Sequence, residues 1–279
     1  MKFLLIGDFH GKIHSKLNRV YNLDFEYALC NGDLVSDGGL RKYIFKYWNE
    51  LDKKPLEKII GKEKYNKIRI RSSKTLINTL KFLNSLGKKV YIIRGNFDLE
   101  KNSRNKKPSL VSLSKEVKKY KNLELLDART IKRKDFTLIA NSGYRFPTEK
   151  GKEKLKFNKY IKKEIARTNS MWDKRLKRIF SQVETFDNSI FLIHDPPLNH
   201  LDKILCKESP MYGKNLGDEY YLKYIRKYQP KIVVCGHMHE YSQKTAKIGK
   251  SLLVNPGEAD KGQFAILSID KKIEIKFYK

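Results

Sequence analysis

Two histidines, separated by one residue, follow a short apolar segment late in the chain. Residues 231–239 read KIVVCGHMH, in which a β-branched run ends at Gly236 and is followed by His237 and His239. Such a run is too short for a helix and predicts a buried strand. The glycine allows a sharp turn, so both imidazoles can emerge at the C-terminal end of the strand, where open α/β sheets bind ligands. Because imidazole nitrogens bind transition metals, the pair predicts a metal site if other segments supply partners.

Four other segments end in polar side chains in the same way. Strand-like apolar runs at residues 2–7, 26–31, 89–94 and 189–193 are followed by Asp8 and His10, Asp33, Asn96, and His194, respectively. With His237 and His239 included, four of the six histidines lie at strand ends. A mixture of imidazole, carboxylate and amide ligands suits Mn, Fe, Zn, Co or Ni better than Mg or Ca, which prefer oxygen alone.

The order of these blocks resembles the calcineurin-like metallophosphoesterase superfamily from residue 8 to residue 239. The blocks are Asp-x-His, Gly-Asp, Gly-Asn-x-Asp, His and Gly-His-x-His, and residues 195–197 (DPP) and 255–257 (NPG) resemble the small prokaryotic phosphoesterase branch of that superfamily. The resemblance implies an α/β protein with a four-layer α/β/β/α sandwich, in which two mixed sheets are flanked by helices. It also implies a binuclear metal site on the loops at one edge.

The resemblance also implies which residue does what. It assigns Asp8, His10 and His239 to one metal ion, Asn96, His194 and His237 to the other, and Asp33 to a bridge between them. The cofactors are then two divalent transition-metal ions, with Mn expected first and Fe, Zn, Co or Ni as alternatives. Two cations held about 3.5–4 Å apart activate a bridging hydroxide that attacks phosphorus in line. We therefore expect Asp33, Asn96 and His194 to contribute to catalysis, and no serine or cysteine nucleophile.

One position departs from the superfamily pattern. The third block usually reads Gly-Asn-His-Asp or Gly-Asn-His-Glu, whereas this chain has Phe97 in place of the histidine. A phenyl ring donates no proton, and general acid catalysis typically contributes 10²–10⁴-fold. We therefore predict a phosphodiesterase acting on diesters or activated esters, with a nuclease and a non-catalytic scaffold as alternatives. His200 is either a solvated loop residue or the substitute acid, and Asp98 is either a turn or cap residue or a catalytic one.

The strong positive charge is unevenly distributed along the chain. The formal net charge of the 279 residues is +29, and residues 41–74, 101–121 and 150–178 hold most of the excess lysine and arginine. The pattern predicts a single domain over residues 1–279 with basic helical insertions around 40–75 and 149–186. A nucleic-acid-binding face and a lysine-rich background both explain the charge, so nucleic acid remains a candidate partner beside the phosphate-ester substrate.

The remaining composition bears on compartment. The chain has no apolar run long enough to span a membrane, and the N-terminal apolar run stops at Asp8, short of a signal peptide. Three cysteines without close spacing do not suggest a disulfide framework. We therefore predict a cytoplasmic protein with no membrane partner. The oligomeric state stays open.

Overall fold

Two six-stranded sheets occupy the centre of the protein. The computed structural model describes residues 1–51, 53–98, 110–143, 145, 159–270 and 272–279. The first sheet has the order β12-β11-β1-β2-β3-β4. Its strands are β1 (Lys2–Ile6), β2 (Tyr27–Cys30), β3 (Lys89–Ile92), β4 (Leu123–Leu125), β11 (Phe264–Ile269) and β12 (Ile273–Tyr278). Strands β1 to β4 are parallel, and β11 and β12 are antiparallel to their neighbours, so the sheet is mixed.

The second sheet is built in the same way, with the order β5-β6-β7-β8-β10-β9. Its strands are β5 (Ala128–Lys132), β6 (Thr137–Asn141), β7 (Ser189–Leu192), β8 (Ile232–Val234), β9 (Lys244–Ile248) and β10 (Ser251–Asn255). The four central strands pair in parallel, and the two outer strands are antiparallel. Each sheet therefore ends its parallel strands at a common edge, where ligands bind in folds of this kind.

Helices cover the outer face of each sheet. The α-helices are α1 (Leu40–Lys46), α2 (Leu56–Ile60), α3 (Lys62–Lys74), α4 (Leu76–Ser85), α5 (Leu113–Glu116), α6 (Lys159–Phe180) and α7 (Glu219–Tyr228). Short 3₁₀ helices span Ser15–Asn22, Trp48–Glu50, Val117–Lys119, His239–Tyr241 and Ala259–Lys261. Helices α4 and α5 pack on the first sheet, and α6 and α7 pack on the second.

Strand β1 shows why the apolar runs are continuous. Leu4 and Ile6 pack with the helices on the outer face, whereas Phe3 and Leu5 pack between the two sheets. A strand buried on both faces needs apolar residues at every position, because successive side chains point to opposite faces. The four layers are thus helices, sheet, sheet and helices, which confirms the predicted α/β/β/α sandwich.

Several boundaries differ from the sequence-based prediction. The apolar spacing of residues 13–21 and 73–86 predicts two helices. The first is the 3₁₀ helix Ser15–Asn22, and the second is divided between the end of α3 and α4, which begins at Leu76. Strands β5 and β9 were not predicted. Both lie at sheet edges and are largely exposed, so they carry polar side chains and lack the apolar signal of a central strand.

The two predicted basic insertions differ in their relation to the core. The described residues of 40–75 form α1 to α3 and a 3₁₀ helix, and in the three α-helices only Leu40, Ser72 and Ser73 are buried. The helical spacing of Tyr43, Tyr47 and Trp48 predicts that they pack in the core, but all three are only partly buried. The C-terminal half of α6 packs on the second sheet through Trp172 and Phe180. Residues 149–158 and the basic loop 99–109 lie outside the described residues.

Two findings bear on compartment. In the described ranges, no helix is both long and apolar enough to cross a membrane. Cys30, Cys206 and Cys235 are free thiols, and Cys30 and Cys235 are buried. The cytoplasmic location stays a prediction.

Candidate metal centre

The ends of the parallel strands are joined within each sheet by main-chain hydrogen bonds. Asp8 donates its N–H to the carbonyl of Gly32 (2.9 Å), and His10 donates to that of Asp33 (2.9 Å), so the loops after β1 and β2 continue side by side. In the second sheet, the N–H of Gly236 donates to the carbonyl of His194 (2.8 Å). These bonds hold the four loops in fixed register beyond the strands.

Two glycines allow the sheets to approach each other at this edge. The buried side chain of Asn31 lies between Gly7 and Gly236. A Cβ added at Gly7 would lie 1.8 Å from Asn31 Oδ1, and a Cβ added at Gly236 would lie 2.1 Å from Asn31 Nδ2. Neither distance is sterically possible, so both positions require glycine. The glycine before His237 is therefore needed for this packing as well as for the turn.

Four of the seven candidate ligands have left-handed backbone conformations. The φ angles are +51° for Asp8, +44° for His10, +51° for Asp33 and +66° for His237. Non-glycine residues with positive φ are uncommon, and each costs on the order of 1–3 kcal/mol unless the surrounding structure imposes it. Their concentration here indicates that the loops are held in a conformation that serves the side chains.

Asp8, His10 and His239 form what we call the first ligand group. One ligand atom from each residue lies within 4.8 Å of the others. His10 Nε2 is 3.0 Å from His239 Nε2, and Asp8 Oδ1 lies 4.0 Å from the former and 3.8 Å from the latter. Two imidazole nitrogens and a carboxylate oxygen therefore face a common point.

Asp33, His194 and His237 form the second ligand group, whose ligand atoms also lie within 4.8 Å of one another. Asn96 joins them, because its Oδ1 is 2.9 Å from His194 Nε2 and 3.0 Å from His237 Nδ1. Asp33 Oδ2 is 3.5 Å from His194 Nε2 and 4.0 Å from His10 Nδ1 of the first group. The structure thus brings all seven predicted residues together, with Asp33 of the second group beside the His10 ring of the first.

The donor atoms fit two metal ions. His10 Nδ1 is buried and has no hydrogen-bond partner among the described residues, which is unusual for a buried ring nitrogen. The opposed nitrogens of His10 and His239 leave at least one lone pair pointing into the group. Mixed nitrogen and oxygen donors, clustered at this spacing, are typical of transition-metal sites.

Two histidines are oriented by partners outside the ligand groups. His194 Nδ1 donates to the main-chain carbonyl of Asn31 (2.8 Å), which leaves Nε2 as the ligand atom. His239 Nδ1 lies 3.0 Å from Glu258 Oε2, which likewise leaves Nε2 facing the site. Glu258 is itself held by Ser242 Oγ (3.0 Å) and Lys261 Nζ (2.9 Å). Such partners fix the ring and strengthen it as a ligand.

The charges of the second group depend on the pair of Asp33 and His194. Burial opposes ionisation of both, yet the carboxylate of Asp33 raises the pKa of His194 well above its usual value. Against the same burial, the charge and hydrogen bond of His194 hold the pKa of Asp33 below its usual range. Burial and the nearby His194 charge lower the pKa of His237 to about 3. Without a metal ion, the proton on His194 supplies the positive charge beside Asp33. A bound divalent cation would supply that charge instead.

The first group is balanced by two carboxylates. Despite burial, hydrogen bonds to Asp8 and Glu258 raise the pKa of His239 to about 9. Burial also opposes ionisation of Glu258, but His239 and Lys261 lower its pKa to about 2. The carboxylates of Asp8 and Glu258 are thus matched by His239 and by Lys261, and a metal ion bound at His239 Nε2 would take the place of the proton on that ring.

Asp98 has a structural role. Its buried carboxylate accepts hydrogen bonds from the main-chain N–H groups of Leu34 (2.8 Å), Val35 (3.2 Å) and Gly95 (2.8 Å). Burial, together with the charge of Asp33, raises the pKa of Asp98 to about 7. These bonds tie the loop after β2 to the loop after β3, which favours the turn interpretation over the catalytic one.

Phe97 lies beside the first ligand group. Its main-chain N–H donates to Asp33 Oδ1 (2.9 Å), and its ring centroid is 6.0 Å from that of His10, edge to face. The guanidinium of Arg41, at the start of α1, lies over the Phe97 ring at 5.7 Å from the ring centroid. The position of the usual histidine is thus occupied by an aromatic ring that contacts a cation.

The other residues considered from the sequence lie elsewhere. His14 accepts a hydrogen bond from the N–H of Lys16 (3.1 Å) and caps the first 3₁₀ helix. Arg94 is paired with Asp127 (3.9 Å). Burial and the charge of Arg226 lower the pKa of His200, against the opposite effect of Asp202. Among the described residues, no contact joins His200 to either ligand group.

Sequence reasoning missed three residues of this site. Glu258 follows the Asn-Pro-Gly block directly, so that block was a usable signal. Asn31 supplies a main-chain carbonyl, for which side-chain patterns give no signal. Asp195 is buried with no hydrogen-bond partner among the described residues, 3.9 Å from His237 Nδ1, and burial raises its pKa to about 8.

Solved structures share this fold at low sequence identity. One crystal structure superposes with a TM-score of 0.62 and 18% identity, covering 100% of this chain and 98% of its own. The protein TT1561 of Thermus thermophilus gives a TM-score of 0.52 and 12% identity, with 99% and 97% covered. Phosphopantetheinyl hydrolase (PptH) from Mycobacterium tuberculosis gives 0.55 and 11%, with 94% and 90% covered. Identities this low show the fold alone.

Sequence comparison identifies the family. No curated protein sequence matches this chain. The sequence profile of the calcineurin-like phosphoesterases, by contrast, matches residues 1–241, which include both ligand groups. The chain therefore belongs to the calcineurin-like phosphoesterase family.

Proposed function

We propose that this protein is a phosphodiesterase that depends on two divalent transition-metal ions, with manganese the first choice. The family is one of phosphoesterases that typically bind two metal ions. The observation that carries the proposal is the position of Asp33, whose Oδ2 lies 3.5 Å from His194 Nε2 and 4.0 Å from His10 Nδ1. This carboxylate oxygen of the second group thus also lies beside the His10 ring of the first group, on its Nδ1 side.

The chain's own residues would hold the ions and position the phosphate. The first ligand group would hold one ion and the second group, with Asn96, would hold the other, and both would share Asp33. When bound, the ions would supply charge stabilisation for the phosphate oxygens and the acidity that makes water a nucleophile near neutral pH. The main-chain carbonyl of Asn31 and the carboxylate of Glu258 keep the Nε2 atoms of His194 and His239 directed at the ions.

Phe97 favours diesters and activated esters. Neither its phenyl ring nor the Arg41 guanidinium packed on it gives up a proton at neutral pH. Asp98 is engaged by three main-chain donors and is not placed to act through position 97. Without a general acid, esters whose leaving groups need no protonation are hydrolysed best.

The second candidate is a nuclease of the same chemistry. The observation that favours it is the basic charge of the α1–α3 region. Residues 41–74 carry 12 lysines and arginines against four acidic residues, and three of these basic residues, with Arg41 nearest the site, lie on α1. A basic surface next to the catalytic edge suits a phosphate backbone.

The test is hydrolysis of an activated diester, bis(4-nitrophenyl) phosphate, with Mn, Fe, Zn, Co or Ni added to chelator-treated protein. We expect turnover with at least one ion, two ions per chain, and loss of turnover in excess chelator. Full activity in chelator would contradict the binuclear proposal. Absence of hydrolysis with every ion would instead support the non-catalytic scaffold.

A further inference from the structure

A cavity of about 660 Å³ lies between α1 and α3, outside both ligand groups. Six charged residues line it: Lys42, Lys62, Glu63, Lys64, Lys67 and Arg71. Its volume is in the range of pockets that hold small organic ligands, about 300–1,000 Å³. The five cations against one carboxylate indicate that such a ligand is an anion.

The positive charge of this cavity is not neutralised from within. Glu63 Oε1 is paired with Lys67 Nζ at 2.7 Å, so the one carboxylate is already taken. Lys64 lies 4.8 Å from the Tyr43 ring centroid, on the cavity wall. In the described part of the chain, neither Lys62 nor Arg71 has a carboxylate partner. Like charges that converge without counterions repel one another, and a bound anion would remove that repulsion.

Helix α3 joins the cavity to the metal loops. A Cβ on Gly38, just after the Asp33 loop, would lie 2.3 Å from Ser72 Oγ, so this loop and α3 are in close contact. Thr75, directly after α3, accepts a hydrogen bond from the N–H of Ser36 (3.0 Å) and packs on Gly11, next to His10. Arg71 precedes Thr75 by about one helical turn, or about 6 Å along the axis. The cavity thus begins about one turn from the loop that carries His10.

Arg41 connects the cavity and the metal centre on the α1 side. Its guanidinium packs on Phe97, whose ring contacts His10, and the next residue, Lys42, lines the cavity. Among the described residues, Arg41 has no ion-pair partner, so its charge is available to an anionic ligand beside Phe97. A cation–aromatic contact holds a guanidinium in place without neutralising it.

We propose that the α1–α3 cavity is a second phosphate-binding site, which takes a phosphate group of the same substrate whose diester is cleaved at the metal centre. The inference rests on the proposed function and narrows its substrate class to short nucleotide chains carrying more than one phosphate. Arg41 would contact the chain between the two phosphates. The apolar wall formed by Tyr43 and Ile68 suits the sugar and base attached to the phosphate.

The experiment compares two thymidine dinucleotides, one with a phosphate at both ends and one with none. The wild-type protein should show kcat/KM at least tenfold higher for the phosphorylated dinucleotide. In the variant Lys64→Gln with Arg71→Gln, this ratio should fall toward one. The matched control, Lys74→Gln with Lys81→Gln, removes the same charge from exposed positions on α3 and α4 that do not line the cavity, and should keep the wild-type ratio.

Two results would overturn the inference: a wild-type ratio near one, or an equal fall of the ratio in the control variant, which would assign the preference to diffuse charge. Thermal unfolding of each variant verifies that the fold is retained.

Equilibrium dialysis with the radiolabelled, phosphorylated dinucleotide separates this inference from the proposed function. If bis(4-nitrophenyl) phosphate is not hydrolysed, the proposed function fails. Dinucleotide binding that is lost only in the cavity variant would then retain the phosphate site, and equal binding by all three proteins would exclude it.

Discussion

The two ligand groups use different devices to orient their histidines. In the second group, the His194 ring is fully buried and donates to a main-chain carbonyl, that of Asn31. In the first group, the His239 side chain is 21% exposed and pairs with the side chain of Glu258. A main-chain acceptor persists through any substitution of the residue that bears it, whereas a carboxylate can be removed. Of the two orienting partners, only Glu258 can therefore be removed by a substitution, so we expect the metal affinity of the first group to depend on this side chain.

We propose that Asp33 is shared by both ions, so the largest effect is expected there. Asp33→Asn replaces one charged oxygen with an amide, so on this proposal both ions would lose a ligand. We expect hydrolysis to fall to the level of chelated protein and the metal content to fall below two ions per chain, measured by elemental analysis and activity. Asp187→Asn, at an exposed position, is the control. An unchanged metal content in Asp33→Asn would show that the groups bind ions separately.

The hydrogen bonds of Asp98, which tie the loop after β2 to the loop after β3, give the next largest effect. Asp98→Ala leaves three buried main-chain N–H groups without their acceptor, each of which costs about 1–3 kcal/mol. We expect the free energy of unfolding to fall by at least about 3 kcal/mol in urea titrations of the chelated protein. Asp98→Asn keeps the oxygen that faces Leu34 and Val35, so its loss should be smaller. Equal losses in the two variants would assign the effect to charge.

Glu258 distinguishes the groups most directly. Glu258→Gln weakens the hold on His239 and should lower the affinity for one ion by 10–100-fold, which is about 1.4–2.7 kcal/mol, while the other ion stays bound. Metal titration followed by calorimetry would resolve the two sites. Glu184→Gln, at an exposed carboxylate, serves as the control. A parallel loss of both ions in Glu258→Gln would mean that the groups are not orientated separately.

Phe97→His gives the smallest expected effect. The substitution restores the motif usual in the superfamily and places an imidazole beside His10. If protonation of the leaving group limits turnover, alkyl esters should gain about tenfold, or about 1.4 kcal/mol, and activated aryl esters should change little. The rates are compared at matched metal content, because the new imidazole adds a ligand. Equal changes for both ester classes would indicate that the substitution acts through Arg41, which loses its aromatic partner.

Much of the fold follows from local patterns in the sequence. A strand buried on both faces must be apolar throughout, so β1, β2, β7 and β8 were predicted together with the polar residues that follow them. Because the parallel strands of one sheet end at one edge, the same pattern predicted that Asp8 and Asp33 would meet. The resemblance to the superfamily added His194, which follows a strand of the other sheet. Strands β5 and β9 could not be predicted in this way, since an exposed edge strand has no continuous apolar signal.

The sequence alone determined the seven candidate ligands, because their residue types follow apolar runs at fixed short spacings. The order of these blocks resembles the superfamily, and that resemblance implied the layered architecture and the two ligand groups. Only the tertiary structure decided the contacts that form between distant segments. Glu258 meets His239, Asn31 supplies a carbonyl to His194, and the cavity arises where α1 approaches α3. No local pattern encodes these contacts, since each depends on how two layers or two loops pack. The physical reason is that strand periodicity is a local property of the chain, whereas the partner of a buried polar group is set by the packing of the whole fold.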